Sequence, residues 1–185
     1  FLYQLFLMLT YLIQLNYLNI FELFYTMSGI RIVLFDADYN EVLAYPENKC
    51  RLCSLMHSEK ELSQKCRESD LAAFGECKKS DKIYIYKCHA GLVEATIPLK
   101  DNKKIIGYMM FGQITDLKDK SALGEFVGEI NHRYGLECTP KGIRYRNEKQ
   151  IAAAAKLLEI CMDYIMLKDM IVPDNNRITR LAREY

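Results

Sequence analysis

The length of this chain, 185 residues, suits a single domain, which can bury about 70% of its unfolded surface without a disulfide or a metal. Its 25 basic and 24 acidic residues nearly cancel, which excludes the basic excess that holds nucleic acid by charge. The seven cysteines are an odd number and no secretion signal is recognisable, so we expect reduced thiols and a cytoplasmic protein.

The N-terminal segment, residues 1–21, is apolar and long enough to span a bilayer. Glutamine and asparagine interrupt it at four positions, and no basic residue flanks it. We therefore favour a helix that is buried in the core or in a dimer over a membrane span. Residues 1–18 are interpreted as an apolar N-terminal helix or as an extension of the domain.

Hydrophobic periodicity predicts about five strands with helices between and after them. The strands are expected at residues 30–35, 41–45, 83–88, 92–99 and 104–114, and a cysteine-bearing loop at 47–54. The helices are expected at residues 58–79, 121–134 and 147–170, with a break at Pro173 before a short basic helix. Hairpin connections indicate an antiparallel sheet with helices on one face, which is an α+β fold.

Four strings in this order resemble the PocR sensory family. They are SGIRIVLFD from Ser28, CSLMH from Cys53 with CRESD from Cys66, YKCHAGL from Tyr86, and IGY from Ile106 with the later Gly112-Gln113. The third string is the most distinctive, and the resemblance covers about residues 19–172. It implies a PAS-like module that is usually joined to an AraC-type DNA-binding domain.

The resemblance implies the small-molecule-sensing domain of a bacterial transcription regulator, with small alcohols or similar metabolites as its ligands. Residues 173–185 would then be a linker toward a DNA-binding domain that lies outside this chain, and DNA would be bound only through that domain. Regulators of this type commonly bind paired DNA sites as dimers, so we expect a homodimer.

The predicted ligand site rests on polar groups in an otherwise apolar sheet. A few directed polar groups in an apolar cavity are typical of small-ligand pockets. Glu94 could instead face solvent on an open side of the sheet. The predicted ligand-binding residues are Tyr84, Tyr86, Cys88, His89, Glu94 and Gln113.

Cysteine spacing predicts a second kind of site. Cys50 and Cys53 have the two-residue spacing with which two thiolates bind one ion, and Cys66 and Cys88 could complete a set for zinc or an iron–sulfur cluster. A metal- or redox-sensing domain is therefore the alternative function. The competing interpretation is that these cysteines are small buried hydrophobic residues, which we favour for Cys77, Cys138 and Cys161.

Catalytic signatures are absent from the sequence. It contains no phosphate-binding loop, dinucleotide fingerprint or Ser-His-Asp motif. Cys88 and His89 are neighbours on a predicted strand and would point to opposite faces, so they cannot act as a nucleophile and its base. We therefore predict that the protein is not an enzyme.

Overall fold

The computed structural model describes residues 17–101 and 104–181, with side chains up to residue 165. Its helices are α1 (17–28), α2 (Arg51–Ser58), α3 (Lys60–Ser80), α4 (Lys120–Tyr134) and α5 (Glu148–Leu181). Its strands are β1 (Arg31–Asp36), β2 (Glu41–Tyr45), β3 (Tyr84–Lys87), β4 (Val93–Asp101), β5 (Lys104–Thr115) and β6 (Arg144–Tyr145).

The strands form one sheet in the order β2-β1-β5-β4-β3. All of these neighbours pair antiparallel, and the two-residue β6 adds to β5 in parallel. The α+β class and the antiparallel sheet of about five strands are therefore confirmed. This architecture is consistent with the PAS-like fold that the resemblance implies.

Helices α1 and α5 cover one face of the sheet. Phe21 and Phe24 of α1 and the apolar stripe of α5 pack against alternate residues of β4 and β5, among them Ala95, Ile97 and Phe111. The described part of the apolar N-terminal segment therefore lies in the core. The predicted segment 1–18 otherwise lies outside the described residues.

Helix α3 covers the opposite face, so the expectation of helices on one face only is wrong. Phe74 and Cys77 of α3 pack on Tyr108 and Met110 of β5. Strand β4 is buried on both sides from Val93 to Leu99, as is typical of a strand between two layers. The alternation along β4 and β5 therefore divides their side chains between two cores.

Two helix boundaries differ from the sequence prediction. The loop predicted at residues 47–54 becomes helical from Arg51, because Leu52 and Met56 lie four residues apart and are buried together against α4. The break predicted at Pro173 is absent, since the backbone of α5 remains helical to Leu181. A proline removes one helical hydrogen bond, and a helix can accommodate that loss with a kink.

The candidate membrane span is also tested for the described part of the chain. Within residues 17–101 and 104–181, no helix combines the length and the apolar character that crossing a bilayer requires.

The packing of α1 on the sheet predicts a contrast between two neighbouring residues. Phe21 is fully buried, whereas Leu23 is 69% exposed. We expect Phe21→Ala to lower the free energy of unfolding by about 3–5 kcal/mol, because it leaves a cavity between α1 and the sheet. Leu23→Ala should cost less than about 1 kcal/mol. Urea unfolding of both variants measures the difference, and equal losses would contradict the placement of α1.

Candidate functional site

A β-bulge in β5 shapes the face of the sheet that α3 covers. Val93 of β4 pairs with Ile114, but Ala95 pairs with Phe111, so two residues of β5 stand opposite Glu94. These two residues are Gly112 and Gln113, and Gln113 has a positive φ of 61°. A bulge of this kind turns a side chain out of the regular alternation and is common beside binding sites.

Gly112 provides the space that the Glu94 carboxyl group occupies. A Cβ atom at residue 112 would lie 1.5 Å from Oε2 of Glu94, which is far inside contact distance. Glycine is therefore the residue that lets the carboxyl group lie against the β5 backbone. The Gln113 amide then donates a hydrogen bond of 3.1 Å to Oε1 of Glu94.

Glu94 is buried without a compensating cation. Glu94 is 8% exposed, and no described Lys, Arg or His forms an ion pair with its carboxyl group. Burial, together with the nearby Asp70, raises the pKa of Glu94 well above the usual range of a glutamate. Glu94 therefore holds a proton at pH values where an exposed glutamate is ionised.

Asp70 supplies a second carboxyl group, from α3. The Tyr86 hydroxyl donates a hydrogen bond of 2.8 Å to Oδ1 of Asp70, which gives this inward-facing aspartate the partner that a buried carboxyl group needs. Burial raises the pKa of Asp70 to about 6, although the hydrogen bond from Tyr86 acts in the opposite direction. Glu94 thus favours its neutral form, whereas Asp70 is mostly neutral only below about pH 6.

A cavity of about 610 Å³ lies between the sheet and helices α2 and α3. Glu94, Asp70 and Gln113 line it, together with apolar side chains such as Val33 and Met110. Its volume is within the range of small-molecule sites, and apolar walls with a few polar groups are the usual lining of such sites.

Basic groups also line this cavity. The Arg31 guanidinium group is held by Glu41 at 3.1 Å and by the carbonyl groups of Pro46 and Glu47. Lys49 lies 3.7 Å from the same Glu41 carboxylate. The positive charges on this part of the wall are therefore engaged with groups of the segment between β2 and α2.

The structure brings together part of the predicted ligand-binding set. Cys88, Glu94 and Gln113 line the cavity, whereas Tyr84, Tyr86 and His89 do not. Tyr86 forms a hydrogen bond with Asp70, which does line the cavity. Tyr86 also lines a second cavity of about 470 Å³ between β3 and α5. Tyr84 stacks on Tyr86, with ring centroids 5.9 Å apart.

His89 contacts a cysteine that sequence spacing does not indicate. Its Nε2 atom lies 3.2 Å from Sγ of Cys66, a cavity-lining thiol on α3, and its Nδ1 atom is buried without a hydrogen-bond partner among the described residues. Burial raises the pKa of Cys66 to about 11 and lowers the pKa of His89. The two groups are therefore a neutral thiol and a neutral imidazole, not an ion pair.

The predicted four-cysteine metal site is not supported by the geometry. Within residues 17–101 and 104–181, no three His, Cys, Asp or Glu side chains are arranged to hold a metal ion. Cys50 and Cys53 do lie side by side, and a hydrogen bond between their thiols lowers the pKa of Cys50 to about 7 and raises that of Cys53. Cys66 contacts His89 instead of joining this pair, and the sulfur of Cys88 is also partly buried against the apolar residues around α2 and α4.

Sequence reasoning missed several residues of the site. Arg31, Lys49 and His57 line the cavity, but Lys49 and His57 lie in polar segments, and Arg31 is a single charged residue in an otherwise apolar strand. Gly112 carried a usable signal, because a glycine inside a strand often marks a bulge or a close approach.

Comparison with known proteins assigns the family. The sensory domain found in PocR matches residues 12–170 of this chain. The chain belongs to this family. The resemblance inferred from the four sequence strings is thereby confirmed, and the matched residues of the PocR sensory domain include every side chain that lines the 610 Å³ cavity.

A curated relative is the Regulatory protein PocR of Salmonella typhimurium (strain LT2). It is 27% identical over 157 residues, which cover 80% of this chain and 50% of the relative. The PocR sensory domain described here thus spans about half the length of that relative. No solved structure matches the chain.

The raised pKa of Asp70 predicts how stability depends on pH. Between the ordinary aspartate pKa of 3.8, which applies to the unfolded chain, and the pKa of about 6 in the folded protein, the unfolded chain releases a proton that the folded protein keeps. The free energy of unfolding therefore falls as pH rises through this window, by about 2–3 kcal/mol from Asp70, and the loss persists above it. Asp70→Asn removes this loss and retains an oxygen that accepts from Tyr86.

Urea unfolding between pH 4 and pH 7 measures this effect. The stability of Asp70→Asn relative to the unsubstituted protein should increase with pH across the interval. Asp163→Asn, on the exposed side of α5, removes a solvated carboxylate and serves as the control. If the free energies of unfolding of Asp70→Asn and the unsubstituted protein differ by the same amount at every pH, Asp70 ionises equally readily in the folded protein and in the unfolded chain.

Proposed function

We propose that this PocR sensory domain binds a small hydroxyl-bearing metabolite in the 610 Å³ cavity, as the sensing part of a bacterial AraC-type transcription regulator acting in the cytoplasm. The observation that carries the proposal is that the carboxyl groups of the buried Glu94 and the partly buried Asp70 line one cavity and form no ion pair with a described residue. Each carboxyl group has one hydrogen-bond partner within the protein and retains the capacity for further hydrogen bonds, which a ligand in the cavity can use.

The chemistry of the two carboxyl groups suits alcohols. A protonated carboxyl group donates one hydrogen bond and accepts others, and an alcohol hydroxyl group also does both. Each can therefore satisfy the other without transferring a charge from water into the protein interior, which would be costly. The alkyl part of such a ligand would contact the apolar walls at Val33, Phe74 and Met110.

The sheet lies between the cavity on one face and α5 on the other, so a change at the cavity can reach α5 through β5. Met110 faces the cavity, whereas its neighbours Met109 and Phe111 pack in the core that contains α5. A ligand that stabilises one position of β5 on the cavity side would bias the packing of α5 on the other side, because packed cores have discrete arrangements. In the proposed regulator, α5 leads through residues 173–185 toward the DNA-binding domain.

The proposed role is binding without turnover. Cys66, the cavity-lining thiol that contacts the imidazole of His89, is neutral, and a neutral thiol is a poor nucleophile. The regulatory name of the curated relative agrees with a sensor. A bound alcohol should therefore be recovered chemically unchanged after prolonged incubation with the protein.

We further propose a homodimer that is formed through the outer faces of α1 and α5. Leu157, Ile160 and Tyr164 are exposed at spacings of three and four residues, on the side of α5 that faces away from its core stripe. Leu23 and Met27 of α1 are both 69% exposed. Apolar residues repeated in this way along a helix are typical of helix–helix interfaces.

Substitution of Glu94 tests the ligand site. We expect Glu94→Ala to weaken binding of the tightest member of a panel of short alcohols and diols by about ten- to a hundredfold, because leaving the buried hydroxyl group of the ligand without a partner costs roughly 1–3 kcal/mol. Glu94→Gln, which can still donate and accept, should retain more of the affinity. Isothermal titration calorimetry measures both variants.

Glu129→Ala, an exposed change on α4, is the matched control and should bind like the unsubstituted protein. Circular dichroism and thermal unfolding establish that each variant is folded. If folded Glu94→Ala binds the alcohol with unchanged affinity, Glu94 is not part of the ligand site.

Light scattering tests the dimer. At tens of micromolar the protein should have about twice the monomer mass of 21.6 kDa. Ile160→Glu together with Tyr164→Glu should shift it toward the monomer, because charges would be buried in the interface. Glu129→Lys on α4 should leave the mass unchanged. A monomeric mass for the unsubstituted protein would rule out this interface at that concentration.

A further inference from the structure

Cys50 and Cys53 meet at the beginning of α2. Cys50 is the N-cap residue of this eight-residue helix and has an extended conformation, with φ −60° and ψ 158°. The Ser54 amide donates to the Cys50 carbonyl at 2.9 Å, which closes the first turn, and Cys53 lies within that turn. N-cap and N3 side chains lie close together at the start of a helix, so the side chains of Cys50 and Cys53 are neighbours.

The position of Cys50 is unusual for an N-cap. Residues at this position usually accept a hydrogen bond from the first-turn amide groups, but Cys50 makes no side-chain capping bond. A neutral thiol is a weak acceptor, whereas a thiolate is stabilised by the positive end of a helix. The location therefore favours reactivity at Cys50 more than it favours helix stability.

The exposure of Cys50 and Cys53 allows a small oxidant to reach this pair. Cys50 and Cys53 are partly exposed, and Cys53 lines the cavity. Cys77 and Cys138 are buried, and Cys66 is engaged with His89. The described cysteines therefore contain one adjacent, accessible pair in which one member lies at a helix N-terminus.

We propose that Cys50 and Cys53 are a redox-active dithiol, which a low-molecular-weight disulfide converts reversibly into an intramolecular disulfide at the wall of the cavity. The Cys50 thiolate attacks one sulfur of the small disulfide, forms a mixed disulfide and releases one small thiolate. The Cys53 thiolate then attacks the sulfur of Cys50 and releases the second one. The protein loses two electrons and two protons, and the small disulfide becomes two thiols.

The bond would act on the Glu94 site through a short chain of contacts. The Cys50 amide donates to Oε1 of Gln113 at 2.7 Å, and the Gln113 amide donates to Glu94. Two sulfurs in a disulfide are about 2.05 Å apart, which is closer than hydrogen-bonded thiols can be. The first turn of α2 must therefore tighten on oxidation, and Cys50 is the residue that joins this turn to the β5 bulge.

Peptide mapping tests the proposal directly. The intact protein is equilibrated with 2-hydroxyethyl disulfide and 2-mercaptoethanol at several ratios, quenched with acid, alkylated and digested with trypsin. Cleavage after Lys49, Arg51 and Lys60 separates Cys50-Arg51 from the peptide that contains Cys53. We expect these two peptides to become disulfide-linked as the ratio rises, and dithiothreitol to separate them again.

Variants identify the roles of the two thiols. Cys53→Ser should retain one mercaptoethanol group on Cys50 as a stable mixed disulfide, and Cys50→Ser should form no internal disulfide. Cys161→Ser, on α5, is the control and should oxidise like the unsubstituted protein. A linkage between other cysteines, or one that forms only in urea, would overturn the proposal, as would an unreacted Cys50 at every ratio.

Discussion

The cavity depends on one buried carboxyl group that has no ion-pair partner among the described residues. Glu94 occupies an interior strand, directly opposite the bulge in β5. The extra residue in β5, the absent side chain at Gly112 and the amide of Gln113 together accommodate the carboxyl group. Because it is buried and forms no ion pair with a described residue, its pKa is raised well above the usual range of a glutamate, and burial also raises the pKa of Asp70, to about 6.

The surrounding elements are arranged around this constraint. Helix α3 brings Asp70 to the cavity, and Tyr86 fixes that carboxyl group from the adjacent edge strand. Gln113 extends the arrangement to α2, because its side chain accepts a hydrogen bond from the Cys50 amide. Strands β4 and β5 and the beginning of α2 are therefore joined by hydrogen bonds that meet at one bulge.

Local patterns allowed much of the fold to be predicted. Strand β2 was expected at residues 41–45 and lies there, and β4 and β5 differ from expectation by one or two residues at their ends. Glu94 and Gln113 stood out as polar residues on apolar strands, and both line the cavity. These features depend on side-chain alternation, which is a property of neighbouring residues.

Contacts between distant segments could not be predicted in the same way. Cys66 and His89 are 23 residues apart, on a helix and in a turn, and no spacing indicates that they meet. The predicted four-cysteine metal site is unsupported for the same reason, since sequence spacing shows only that Cys50 and Cys53 are close to each other. Helix α2 was missed because it has only eight residues, which is too short for a clear periodic signal.

The division of the central strands between two cores has an evolutionary consequence. Along β4, alternate residues such as Ala95 and Ile97 pack against α1 and α5, whereas Glu94 and Thr96 face the side of the cavity and α3. The positions that build the helical core are thus largely separate from the positions that face the cavity. Under the proposed ligand-sensing function, substitutions at cavity-facing positions would change the molecules that a related domain recognises, while the helical core that supports the sheet stays the same.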